Sequence, residues 1–128
     1  MNNEVVNYRR ERARESIEEA RLLLANNKLF ATVNRIYYAC FYEVVALLLK
    51  DGLSSPKHTG VKSLFNLHYI QTGKIAADYG RYYSRMFDHR QKGDYADMIK
   101  FNRDDVEAWL AIAQSFVLDL ESHFNDQA

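Results

Sequence analysis

FATVNRIYYACFYEVVALLLK, residues 30–50, is the stretch that decides the fold. Ile36, Tyr37, Phe41, Val44, Val45 and Leu48 recur at helical spacing but cover more than one face. The charges are few: Arg35, Glu43 and Lys50. A helix apolar around most of its circumference belongs at the centre of a bundle. It is not a membrane span, because its longest near-apolar run, Ile36 to Leu49, is interrupted by Glu43 and falls short of roughly 18 residues.

Working outward, the same period marks four more helices. The first runs from about Glu4 to Ala25, with Val6, Ala13, Ile17, Ala20 and Leu24 on one stripe. Glu11, Arg14, Glu15, Glu18 and Arg21 face outward and can pair three and four residues apart. The central helix spans about Phe30 to Lys50. A shorter one covers about His58 to Tyr69, packing through Val61, Leu64, Phe65 and Leu67. The fourth runs from about Ile75 to Lys92, with Arg81, Arg85, Asp88 and Lys92 on a polar edge. Tyr79, Tyr82, Tyr83 and Met86 form its other edge, which Arg90 continues. That aromatic edge suits either a partner surface in a homodimer or packing within the chain. The last helix starts near Asn102, where Asn102 and Asp105 read as an N-cap with an acidic N3 residue.

Asn26-Asn27, Asp51-Gly52 through Pro56, Gln71-Thr72-Gly73 and Gly93-Asp94 punctuate these helices. No strand-like alternation competes with them. The expected architecture is all-α: an antiparallel up-and-down bundle of four to five helices, forming one domain over residues 1–128.

The whole chain of 128 residues balances 17 basic against 17 acidic side chains, so no global basic field marks it as a nucleic-acid binder. The charge is uneven, however. Residues 53–100 carry a net of +4 and three of the four histidines, whereas residues 101–128 carry a net of −5. A local positive surface for an anionic ligand fits that pattern, and so do two complementary solvated faces. The single cysteine, Cys40, fits a reducing cytoplasm, and its apolar surroundings argue for a packed, inert thiol.

Most catalytic chemistry lacks its motif. Thr72-Gly73-Lys74 has no glycine-rich phosphate loop before it, and the histidines show no close metal-ligand spacing. Neither a metal nor another cofactor is expected.

Two segments exceed plain packing. In Asn34-Arg35-Ile36-Tyr37-Tyr38-Ala39-Cys40-Phe41, an arginine enters the most apolar helix and shares an edge with Tyr38 and Tyr42. Such a charge is costly unless paired or set in a cleft. A snorkelling arginine among rim tyrosines is the plain alternative. The second segment, Asp88-His89-Arg90-Gln91-Lys92-Gly93-Asp94-Tyr95, ends a helix with cations where the dipole favours them. A simple C-terminal cap would explain it. The functional alternative brings Arg90 to Arg35, His89, Asp94 and Tyr95 in a polar pocket, where arginine forks grip phosphate.

The Asn-Arg-x-Tyr-Tyr-Ala-x-Phe pattern at 34–41, the His58-Thr59-Gly60-Val61 helix start and Arg90-x-x-x-Asp94-Tyr95 together resemble the HEPN domain superfamily, in its small prokaryotic branch. The resemblance covers about residues 5 to 125. It implies a helical bundle that usually dimerises. Many HEPN proteins are metal-independent ribonucleases, and several are toxins encoded beside a minimal nucleotidyltransferase antitoxin. Their active-site motif is an Arg followed, after four to six residues, by a His. Here Asp94 and Tyr95 follow Arg90, and the next histidine is His123. The resemblance therefore points to Arg90, Asp94 and His89 as catalytic candidates, and to Arg35, Tyr38 and Tyr95 as ligand-binding ones. Tyr95 is also the counterpart of a tyrosine that the nucleotidyltransferase modifies in some pairs. Two functions follow. One is an RNA- or nucleotide-phosphate-binding domain of ribonuclease or toxin type. The other is a non-catalytic module that partners a nucleotidyltransferase.

Overall fold

A computed structural model describes residues 3–93 and 100–124. Five helices account for most of them: α1 (Asn3–Ala25), α2 (Leu29–Lys50), α3 (His58–Phe65), α4 (Ala77–Gly93) and α5 (Arg103–Ser122). They form the all-α bundle that periodicity predicts. Among the described residues no helix is long and apolar enough to cross a membrane.

The helix ends are set by local chemistry. Asn27 takes a left-handed φ of 59°, while Lys28 N–H donates to the Leu23 carbonyl (2.9 Å) and Asn27 N–H to that of Leu24 (2.9 Å). Gly52 does the same after α2, with φ 78° and Leu53 N–H donating to the Leu48 carbonyl (2.8 Å). Both are Schellman closures, which satisfy last-turn carbonyls through a residue tolerant of positive φ. At the start of α5 the Asn102 side chain accepts from Asp105 N–H (3.2 Å). The cap predicted from the sequence is in place, and Asp104 and Asp105 sit where the helix dipole favours acids.

The third helix departs from expectation. It is α-helical only to Phe65 and then widens into a π turn over Asn66–Ile70. Gln71 N–H donates to the Asn66 carbonyl (2.8 Å), five residues back instead of four. The wider turn keeps Phe65 and Tyr69 buried and brings Ile70 against Gly80 of α4. A Cβ at Gly80 would stand 3.0 Å from the Ile70 side chain, so glycine inside α4 lets Ile70 approach without giving way. Gly60 plays a similar part in α3, where a Cβ would collide with Ser55.

Helix α2 is the axis of the bundle, packing on α1, α3, α4 and α5. Ile36, Tyr37, Ala39, Cys40, Val44, Ala46 and Leu47 are wholly buried on it. The aromatic edge of α4 turns inward: Tyr83 and Met86 are wholly buried and Tyr82 nearly so. Tyr82 donates to the Trp109 carbonyl (2.6 Å). Of the two uses the sequence allows, this edge serves packing within the chain. Tyr83 stacks between Tyr37 and Phe116, with centroids 6.0 Å away on each side.

One ionisable side chain is also in the core. Glu43 of α2 is wholly buried, and among the described residues neither of its oxygens meets a hydrogen-bond partner. Burial, with the Glu121 carboxylate close by, pushes its carboxyl up to about 10, so it is neutral at physiological pH. Glu121 on α5 goes the other way. Its burial is outweighed by Arg10 of α1, which grips it with two hydrogen bonds (2.7 and 3.0 Å). Between them the two carboxyls hold one proton, on Glu43, and one negative charge, on Glu121.

Candidate functional site

Tyr38 gathers the two arginines predicted from the sequence. It lies on the half-buried edge of α2, one turn after Arg35 and one before Tyr42. The Arg35 guanidinium carbon stands 5.1 Å from the Tyr38 ring centroid. That of Arg90, arriving from α4, stands 5.6 Å from the same centroid. Arg90 Nη2 also donates to the Tyr38 hydroxyl (3.0 Å). Two cations from separate helices thus converge on one ring, the attraction of guanidinium for a π face holding each.

The two arginines differ in their other contacts. Arg35 Nη1 pairs with Glu19 of α1 (3.2 Å), and its Nη2 donates to Asn34 (3.0 Å). A paired, half-buried arginine explains how α2 carries this charge. Among the described residues the partners of Arg90 are a hydroxyl and two aromatic rings, Tyr37 and Tyr38, rather than a carboxylate. The pattern continues along α2: the Tyr42 ring lies 5.7 Å from Tyr38 and carries Arg12 of α1 over it at 5.2 Å.

His89 lies elsewhere. Its ring stacks on Trp109 of α5 at 4.5 Å and meets Phe101 edge-on at 5.6 Å. Adjacent helical positions diverge by about 100°, so Arg90 reaches α2 while His89 faces α5. His89 also lines a groove of about 610 Å³ between the π turn and α4, with Arg81, Arg85 and Asp88. Asp94 and Tyr95 lie outside the described residues. Of the predicted set, the structure brings together Arg35, Tyr38 and Arg90.

It adds one residue that sequence reasoning left out of the site. His58, the first residue of α3, stacks on Phe41 (4.3 Å, 6° between planes) and meets Tyr38 edge-on at 5.9 Å. Its Nδ1 is hydrogen-bonded to the Tyr37 hydroxyl (2.7 Å). Burial and the nearby Arg90 charge hold the imidazole below its ordinary value, hence neutral at pH 7. Burial likewise keeps the Tyr37 and Tyr83 hydroxyls protonated far above pH 7. The signal for His58 was its place in the His58-Thr59-Gly60-Val61 helix start; spacing along the chain says nothing of its closeness to Arg90.

Two arginines and a histidine around a tyrosine edge, on a bundle of helices, define a small all-helical domain. The HEPN domain family model matches residues 6–123, and the chain belongs to that family. The UPF0332 protein of Thermotoga maritima is 45% identical over 122 residues, covering 95% of this chain and 92% of that protein. Two proteins of Methanocaldococcus jannaschii, both named as candidate toxins, are also similar. One is 35% identical over 105 residues, covering 82% of this chain and 78% of its own. The other is 32% identical over 97 residues, covering 76% and 66%.

Proposed function

We propose that this HEPN domain binds single-stranded RNA by its phosphates at the Tyr38 cluster and acts as a ribonuclease-type toxin. One observation carries the reading: guanidinium groups from α2 and α4 converge on a single half-buried tyrosine ring. Arginine forks suit phosphate oxygens, and the neighbouring Tyr38 and Tyr42 rings offer surfaces on which unpaired bases stack. The toxin names of the two Methanocaldococcus relatives support the same direction.

The test is binding of a labelled single-stranded RNA across a salt series, with gel analysis for cleavage. Arg90→Ala is expected to weaken binding about tenfold or more and to lower the salt slope by about one, with helical content unchanged. Equal affinity for Arg90→Ala and wild type would remove the RNA-binding reading.

A second reading has its own support: positions 95–97 are Tyr, Ala and Asp, so the family's histidine spacing after Arg90 is not met. In that reading the domain is non-catalytic and pairs with a nucleotidyltransferase. A stable complex with such a partner, and no RNA turnover by the domain alone, is its expected result.

A further inference from the structure

Cleaving RNA through its own 2′-hydroxyl needs a group that takes a proton at neutral pH. The arginines of the Tyr38 cluster cannot, since guanidinium stays protonated. Tyr37 and Tyr83 hold their protons far above neutrality. The imidazole of His58 is different. Its plane is fixed by the stack on Phe41 and the edge of Tyr38. Its Nδ1 is occupied by the Tyr37 hydroxyl, which leaves Nε2 for exchange. Among the described residues, it is in contact with the hydroxyl of Tyr37 and the ring of Tyr38 from α2, and the Arg90 charge from α4 acts on it; Lys57 and Lys62 flank it along its own segment.

We propose that His58 is the general base of this site and that Tyr37 is its positioning residue. The inference rests on the RNA-binding reading above. In the reactive tautomer Nδ1–H donates to the Tyr37 oxygen, and Nε2 presents its lone pair. Nε2 takes the proton of the RNA 2′-hydroxyl while the 2′-oxygen forms a bond to phosphorus. The P–O5′ bond breaks, and its electron pair leaves on the 5′-oxygen, which takes a proton from water. The hydroxide so formed removes the proton from His58. The products are a 2′,3′-cyclic phosphate and a 5′-hydroxyl, with no net change in protons. Arg90, beside the histidine and bonded to Tyr38, stabilises the charge that builds on the phosphate oxygens. The acid–base partner of Arg90 therefore comes from the start of another helix, 32 positions earlier in the chain.

The experiment separates binding from cleavage. Affinity is measured on a 2′-O-methyl RNA that cannot be cut, and single-turnover cleavage on the matching unmodified RNA, from pH 5 to 9. His58→Gln is expected to slow cleavage by about 100-fold or more while affinity stays within about threefold of wild type, since the arginine contacts remain. Tyr37→Phe is expected to slow cleavage and move the acidic limb of the pH profile to lower pH, because the imidazolium loses the acceptor at Nδ1. Equal cleavage by His58→Gln and wild type would overturn the assignment. So would a wild type that binds the RNA and never cuts it, leaving the binding reading intact. A wild type that does not bind at all defeats both. Where His58→Gln loses its helical content, Tyr37→Phe decides, and an unshifted profile overturns the assignment.

Discussion

Replacing Glu43 by Gln should remove a loss of stability that wild type suffers as the pH rises, an unusual benefit from deleting an ionisable residue. Wild type carries a buried carboxyl whose value moves from 4.5 in the unfolded chain to about 10 in the fold. Between those limits the folded state keeps a proton that the unfolded state has released. Stability therefore falls as pH rises, by about 1.4 kcal/mol per unit for one proton. From pH 5.5 to 8.5 the full effect is about 4 kcal/mol, an upper bound that relaxation around the carboxyl reduces. Glutamine has the same shape and no proton to lose. On the acid side the partner acts in the opposite sense: Glu121, held at about 2 in the fold, contributes stability above 4.5 that is lost as pH falls through 2. The assay is urea unfolding of wild type and Glu43→Gln at half-unit steps from pH 5.5 to 8.5, followed by circular dichroism. The expected result is a stability difference that grows in favour of the glutamine variant by about 2–4 kcal/mol across the range. A difference that stays flat within about 0.5 kcal/mol would refute the protonated, buried state of Glu43.

Three further outcomes follow from local packing. Gly60→Ala places a methyl group against Ser55 and is expected to cost about 1–3 kcal/mol, read as a fall in the urea midpoint. Asn102→Ala removes the side-chain acceptor for Asp105 N–H and is expected to cost about 1 kcal/mol, with an unchanged m-value. Cys40 is wholly buried, and burial pushes its thiol value up, so in native buffer it should react with a thiol reagent only at the rate of unfolding; fast labelling would contradict the packing of α2.

What the sequence revealed was what depends on neighbours along the chain. Periodicity found five helices, the most buried of them and the Asn102 cap, because each depends on residues three or four apart. It also put Arg35 and Tyr38 on one edge. Contacts between distant segments were less legible. The Tyr82–Tyr83–Met86 edge could face a partner or the core until the position of α2 was known. The end of the third helix widens where Ile70 lies against Gly80, a contact between distant segments that no three- or four-residue rule carries. His89 adjoins Arg90 in the chain, yet adjacency in a helix separates side chains. His58 is the reverse case, remote from Arg90 in sequence and close to it in space.

The wide turn at Asn66–Ile70 amounts to one surplus residue stitched into a helix. Trimming a single position inside it should let ordinary winding resume while the side chains beyond it keep their directions, because the widened turn absorbs the extra residue. The stretch could then shed one residue and still deliver Ile70 to the gap that Gly80 leaves for it.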